Sequence, residues 1–144
     1  ETLHLRMPRH VENTRRVVQF LAAHAMVEKV LYPELPGHPD YELCRRLLPR
    51  GAGAVFSFNL KGGREAGRAL IESLRVFSHL ANVGDAKSLV IHPATTTHYR
   101  MSDEDLRKAG ITAGTVRLSI GLEDPQDLLD DLDRALGAAQ RTGK

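Results

Sequence analysis

The segment AVFSFNL, residues 54–60, constrains the fold of this chain more than any other. Successive side chains of an extended strand point to opposite faces, so Ala54, Phe56, Phe58 and Leu60 fall on one side and Val55, Ser57 and Asn59 on the other. Such a strand is half-buried, and its aromatic face has to be roofed by other elements. Gly51-Ala52-Gly53 before it and Gly62-Gly63 after it mark its ends.

A second alternation occurs in TVRLSIG, where Val116, Leu118 and Ile120 interleave with Arg117 and Ser119. It predicts a strand within Thr115–Leu122 that aims the Arg117 guanidinium away from the apolar set. Two further strands are expected at Val27–Tyr32, for its β-branched content, and at Ser88–Ile91. Helices are expected over residues 9–24, with Val11, Val17, Val18, Leu21 and Ala22 near a 3.6 period, and over 40–48, ended by Pro49. Another is expected over 64–76, with Ala66, Ala69, Leu70, Ser73 and Phe77 on one face. Pro8 suits a helix start better than an interior, which separates residues 1–7 from the first helix. Ser102 with Asp105 three residues on is a capping-box-like start, and Gly110 a stop. Asp124-Pro125 opens the last helix, whose stripe is Leu128, Leu129, Leu132, Ala135, Leu136 and Ala139.

Composition narrows the function. The 144 residues are 42% hydrophobic and 26% charged, which fits one soluble globular domain. No apolar run approaches the roughly 18 to 20 residues that cross a bilayer, so no membrane partner is expected. The formal charge is +2, and pairs such as Arg15-Arg16 and Arg45-Arg46 are scattered without stacking aromatics, which argues against nucleic acid. The single cysteine, Cys44, excludes an intrachain disulfide and reads as a packed thiol in a reducing, cytoplasmic setting. The seven His have neither a Cys cluster nor an i,i+4 helical pair, so no metal is expected. KGGREAG lacks the spacing of either common phosphate loop and reads as a turn.

Four residues could carry chemistry. Arg117 is a planar fork able to grip a carboxylate in two places, although the strand pattern alone favours a solvent-facing or ion-paired arginine. Asn82, before Val-Gly-Asp, is by itself a turn residue. Thr97 and Ser88 offer hydroxyls on or beside a strand. His92 and His98 read as packed, hydrogen-bonded histidines.

Taken together, Asn82 to Asp124 resembles the C-terminal domain of the Cys/Met-metabolism family of pyridoxal-phosphate (PLP) enzymes. The most similar pattern is that of the O-acetylhomoserine sulfhydrylases, NxGDxxSLxxHPxxTTH followed by VRLSxGxED. The resemblance covers essentially the whole chain and is most specific from Gly51 to Asp124. The element order alone would also suit a parallel doubly wound sheet. The resemblance implies instead an α/β (α+β sandwich) domain of fold-type I, a largely antiparallel sheet of about four strands covered by helices on one face. It implies that residues 1–144 are one substrate-carboxylate-binding domain, with Arg117, Asn82, Thr97 and Ser88 as the substrate-binding set. The family's first helix usually runs through the position of Pro8.

The cofactor of such an enzyme is pyridoxal 5'-phosphate. The Schiff-base lysine in its SxTK context, the pyridine-nitrogen aspartate and the phosphate cup are absent from this sequence. None of Lys29, Lys61, Lys87, Lys108 and Lys144 has that surround. The chain, which opens on Glu1 without an initiator Met, is therefore expected to be a fragment that binds no PLP and is inert alone. The missing PLP domain and, for the full-length enzyme, a homotetramer are the expected partners. Cystathionine γ-synthase, cystathionine γ-lyase and methionine γ-lyase share much of this domain; Asn82, Lys87 and Thr96-Thr97 separate them. A non-catalytic α/β amino-acid-binding module is the alternative from another class.

Overall fold

The computed structural model describes residues 1–96 and 100–142. Five helices, α1 (Leu3–Ala23), α2 (Tyr41–Leu47), α3 (Gly63–Ser73), α4 (Asp103–Lys108) and α5 (Pro125–Thr142), accompany five strands. The strands are β1 (Val27–Leu31), β2 (Val55–Leu60), β3 (Ser78–His79), β4 (Leu89–Ile91) and β5 (Thr115–Ser119). They form one sheet in the order β1-β2-β5-β4-β3.

The two alternating segments lie side by side at its centre. β2 and β5 pair antiparallel with Phe56 opposite Leu118 and Ser57 opposite Arg117. That register puts the apolar sets of both strands on one face, because residues directly opposite share a face. Phe56, Phe58, Leu60, Val116, Leu118 and Ile120 join Val17, Val18 and Leu21 of α1, Ala66 and Leu70 of α3, and Leu128, Leu132 and Leu136 of α5 in one core. The helical cover over this face is as expected. Phe58 is fully buried there, which is worth roughly 1.5–3 kcal/mol relative to leaving such a side chain in water. The other face of the central pair is mostly polar: Ser57 and Asn59 from β2, with Val55 at its edge, and Thr115, Arg117 and Ser119 from β5.

Several local expectations hold for the anticipated reason. Ser102 and Asp105 form the capping pair, the Ser102 hydroxyl donating to Asp105 Oδ2 at 2.7 Å and accepting from the Asp105 N–H at 3.2 Å. Asp124 Oδ1 accepts the N–H of Gln126 at 2.8 Å to open α5. Gly62 and Gly63 form the turn into α3. Cys44 is a buried thiol.

Three expectations are corrected. Helix α1 is continuous through Pro8; the carbonyl of residue 4 that loses its bond belongs to an exposed turn, where water can satisfy it. The sheet is mixed and five-stranded, since β3 pairs parallel with β4, Ser78 opposite Leu89 and His79 opposite Val90. Two residues carry no readable period, so this strand left no signal in the sequence. Finally, α3 stops at Ser73 instead of reaching residue 76. The buried carboxylate of Asp131 takes the N–H groups of Arg75 and Val76, at 3.0 and 2.8 Å, that a longer helix would have used internally.

Candidate functional site

Arg117 projects from the middle of β5 between Ser57 of β2 and Ile91 of β4, on the polar face of the sheet. It is half-buried, and no described carboxylate pairs with it. Its one recorded contact is long, Nη2 donating to the backbone carbonyl of Asn82 at 3.4 Å. A guanidinium between the Ser57 hydroxyl and the apolar Ile91, with no described carboxylate paired to it, is a fork able to take an anion in two places.

Asn82 lies in the loop between β3 and β4, where its backbone carbonyl, and not its side chain, meets Arg117. Its Oδ1 accepts the N–H of Val83 at 2.9 Å, the local turn contact typical of the residue type. That contact fixes the amide, and Nδ2 has no recorded partner among the described residues.

Ser88 is placed differently. It is fully buried, its hydroxyl donates to Glu123 Oε2 at 2.8 Å and accepts the N–H of Gly121 at 2.8 Å. Its one proton is committed to Glu123, so the hydroxyl does not meet Asn82 and Arg117 as a third donor. A side chain at Gly121 would fall 2.4 Å from the carbonyl oxygen of Ala86 and 2.5 Å from Ser88 N. Only glycine lets the strand end approach the loop this closely. Thr97 and His98 lie outside the described residues.

His92 is the packed histidine expected. Its Nε2–H donates to the carbonyl of Ala113 at 2.7 Å and its Nδ1 faces the Thr95 hydroxyl at 2.9 Å. Burial pushes its pKa below the usual histidine value, the charges of Arg64 and His79 act the same way, and the Ala113 carbonyl opposes them. A ring so committed has no free nitrogen for proton transfer.

Several polar residues around the site escaped sequence reasoning. Ser119 Oγ accepts the Gly84 N–H at 3.3 Å, and Arg6 Nη1 donates to the Gly84 carbonyl at 3.1 Å. Thr115 Oγ1 donates to Asn59 Oδ1 at 2.8 Å on the same polar face. Glu123 accepts both the N–H and the O–H of Ser88. Asp131 did leave a signal: it follows Leu128 by three positions and so lies on the buried stripe of α5, where an acid needs partners.

No group of three or more potential metal ligands occurs among the described residues. No helix of the described chain is long and apolar enough to cross a membrane. None of the described lysines is desolvated in the way that activates a Schiff-base amine. Lys29 and Lys87 are exposed, Lys61 Nζ donates to the Ala25 carbonyl at 2.6 Å, and Lys108 Nζ pairs with Glu104 at 3.1 Å. Lys144 lies outside the described residues. An open apolar depression of about 780 Å³ at the start of α1, lined by Leu3, Met7, Val11 and Arg50, does not include Asn82 or Arg117.

Comparison with known proteins is consistent with this geometry. Residues 1–137 match the family described as Cys/Met metabolism PLP-dependent enzyme. The chain is 47% identical over 136 residues to O-acetyl-L-homoserine sulfhydrylase 1 of Thermus thermophilus, covering 94% of this chain and 32% of that protein. It is 45% identical over 136 residues to L-methionine gamma-lyase of Fusobacterium nucleatum subsp. nucleatum, covering 94% of this chain and 34% of the relative. The crystal structure of cystathionine gamma synthase from Xanthomonas oryzae pv. oryzae superposes with a TM-score of 0.89 at 42% identity, over 98% of this chain and 36% of that one. The chain thus spans about a third of the length of the relatives it matches.

Proposed function

Because the chain belongs to the Cys/Met metabolism PLP-dependent enzymes, we propose that it is the substrate-carboxylate-binding domain of an O-acetylhomoserine sulfhydrylase. In the reaction proposed, acetate leaves the γ-carbon of O-acetylhomoserine, and sulfide or a thiol takes its place to give homocysteine or methionine. The observation that carries this reading is Arg117: a half-buried guanidinium with no carboxylate partner in the described chain, beside Asn82. An amino-acid substrate supplies the missing anion through its α-carboxylate.

Pyridoxal phosphate supplies the electron sink for such chemistry and is held, in this reading, by the remainder of the enzyme. The contribution of these residues is binding and orientation. The Arg117 fork holds two carboxylate oxygens, the Asn82 amide adds a donor, and Thr97 joins them by its place in HPATTTH. A carboxylate held on two or three points fixes the Cα–H relative to the base that removes its proton. Ser88, with its proton on Glu123, acts from behind by holding the loop. The full-length enzyme is proposed to be a cytoplasmic homotetramer, and the present chain alone inert.

The similar identity to a methionine γ-lyase supports a second reading, elimination instead of replacement at the same carbon. The full-length enzyme separates the two when offered O-acetylhomoserine with sulfide in one assay and methionine alone in another. Homocysteine from the first at a rate well above 2-oxobutyrate and methanethiol from the second is the expected result. The opposite ranking assigns the domain to a lyase. Turnover of neither overturns the assignment to both.

A further inference from the structure

Asn82 sits in a stretch with little structure of its own: β3 has two residues, and residues 80–84 are exposed. Its middle is held by three contacts, at 3.4 Å from Arg117 to the Asn82 carbonyl, at 3.3 Å from the Gly84 N–H to Ser119, and at 3.1 Å from Arg6 to the Gly84 carbonyl. Its two ends are held strongly. At the amino end, Asp131, 4% exposed, accepts the N–H groups of Arg75 at 3.0 Å, Val76 at 2.8 Å and Phe77 at 3.4 Å, and pairs with Arg134. At the carboxyl end, Glu123 accepts the Ser88 N–H at 2.7 Å and the Ser88 hydroxyl at 2.8 Å, while Leu122 N–H reaches the Ala86 carbonyl at 2.9 Å. Both carboxylates belong to one rigid piece, Asp131 on α5 and Glu123 just before it. Hydrogen bonds to ionised acceptors are about twice as strong as neutral ones. The Asn82 side chain makes only its local contact to Val83, so its place over Arg117 depends on these flanking anchors together with the bond from the Ser78 N–H to the Ser88 carbonyl at 2.9 Å that closes the loop.

We infer that Asp131 and Glu123 are positioning residues for carboxylate recognition, Asp131 by holding the segment that leads into β3 and Glu123 by holding Ser88 at the far end of the loop that carries Asn82 to Arg117. This rests on the reading of Asn82 and Arg117 as a carboxylate site. Neither acid touches that site, so removing either leaves Arg117 in place and moves the partner it works with.

The test uses the full-length enzyme and the ratio of inhibition constants for L-methioninamide and L-methionine, which differ only in the carboxylate. The native enzyme is expected to favour the acid, and Arg117→Ala to bring the ratio close to one. Glu123→Gln and Asp131→Asn are each expected to lower it by about tenfold, since small misplacements of positioning groups cost on this scale. Val17→Ala, a core change in α1, matches them for loss of thermal stability and is expected to leave the ratio unchanged. Should Asp131→Asn fail to fold, Asp131→Glu, which keeps the charge and shifts it by one methylene, replaces it with a smaller drop expected. An unchanged ratio in the Glu123 variant and in the Asp131 variant, with collapse in Arg117→Ala, overturns the inference and leaves the carboxylate site standing. A ratio untouched by Arg117→Ala overturns the site itself and the inference with it. A drop in Val17→Ala equal to the others makes both acids merely structural.

Discussion

Gly67 and His92 are packed so closely that a methyl group at position 67 would fall 2.4 Å from His92 Nε2. Helix α3 crosses the imidazole at Gly67, the glycine in its interior. The ring cannot retreat, because Nε2 is tied to Ala113 and Nδ1 to Thr95.

Gly67→Ala is accordingly expected to destabilise the chain, although alanine is favoured over glycine in a helix interior by roughly 1 kcal/mol. Overpacking a tight contact costs about 1–3 kcal/mol and here also strains a buried hydrogen bond. Urea unfolding of both forms measures the difference. A more stable Gly67→Ala would mean that the ring has room the structure does not give it.

The same histidine makes stability pH-dependent. Burial holds the His92 pKa below the ordinary histidine value of 6.5, so above about pH 6.5 the ring is neutral in folded and unfolded chains alike. As pH falls past that value the unfolded chain takes up the proton first, and folding free energy declines until the folded ring protonates too. The expected result is a loss of stability on acidification from about pH 6.5 that is smaller in His92→Asn. Parallel pH profiles of the two proteins would defeat the expectation.

A second acid-sensitive point is Glu34. Burial works to raise its pKa, but the Arg15 hydrogen bond, the Ala52 N–H and the Tyr32 hydroxyl together bring it below the usual carboxylate value of 4.5. Arg15 Nε and Ala52 N both lie 2.6 Å from it. The stability it contributes is present above about pH 4.5 and is lost as pH falls through the lower folded value. Glu34→Gln, similar in shape but uncharged, should cost about 1 kcal/mol at neutral pH, since Arg15 is half-exposed and the pair is screened. Glu34→Ala should cost more, because the Ala52 N–H then loses its acceptor. Equal losses from both variants would show that the charge and not the hydrogen bond matters.

How far the sequence foretold this structure depends on how many residues each signal spans. β2 and β5 were legible because alternation over several positions fixes a face, and with it the side on which Arg117 emerges. The final helix was legible from its leucine stripe. β3 was not, because Ser78 and His79 are strand residues only through pairing with Leu89 and Val90. Nor was the end of α3, which Asp131 sets from far along the chain. Asn82 and Arg117 were singled out as residue types in a motif. What the motif could not say is that Ser88 faces Glu123, since a hydroxyl reads the same whether it meets a ligand or a buried carboxylate.

Arg117 offers the sharpest test of the site. Lysine at that position keeps the charge and loses the planar fork, so the substrate carboxylate is held by one contact where two were made. A charge-assisted hydrogen bond is worth about 1.5–3 kcal/mol, which sets the fall in kcat/KM for Arg117→Lys in the full-length enzyme at roughly ten- to hundredfold. Thermal stability should change little, because Arg117 pairs with no described carboxylate and its one recorded bond is 3.4 Å long. PLP retention, read from visible absorbance, should survive, since the proposed function has the remainder of the enzyme hold the cofactor. Steady-state kinetics on O-acetylhomoserine and a melting curve measured on the same preparation decide the matter. Unchanged kcat/KM, or a loss fully matched by unfolding, would make Arg117 a structural residue of the sheet and remove the anion site on which the proposed function stands.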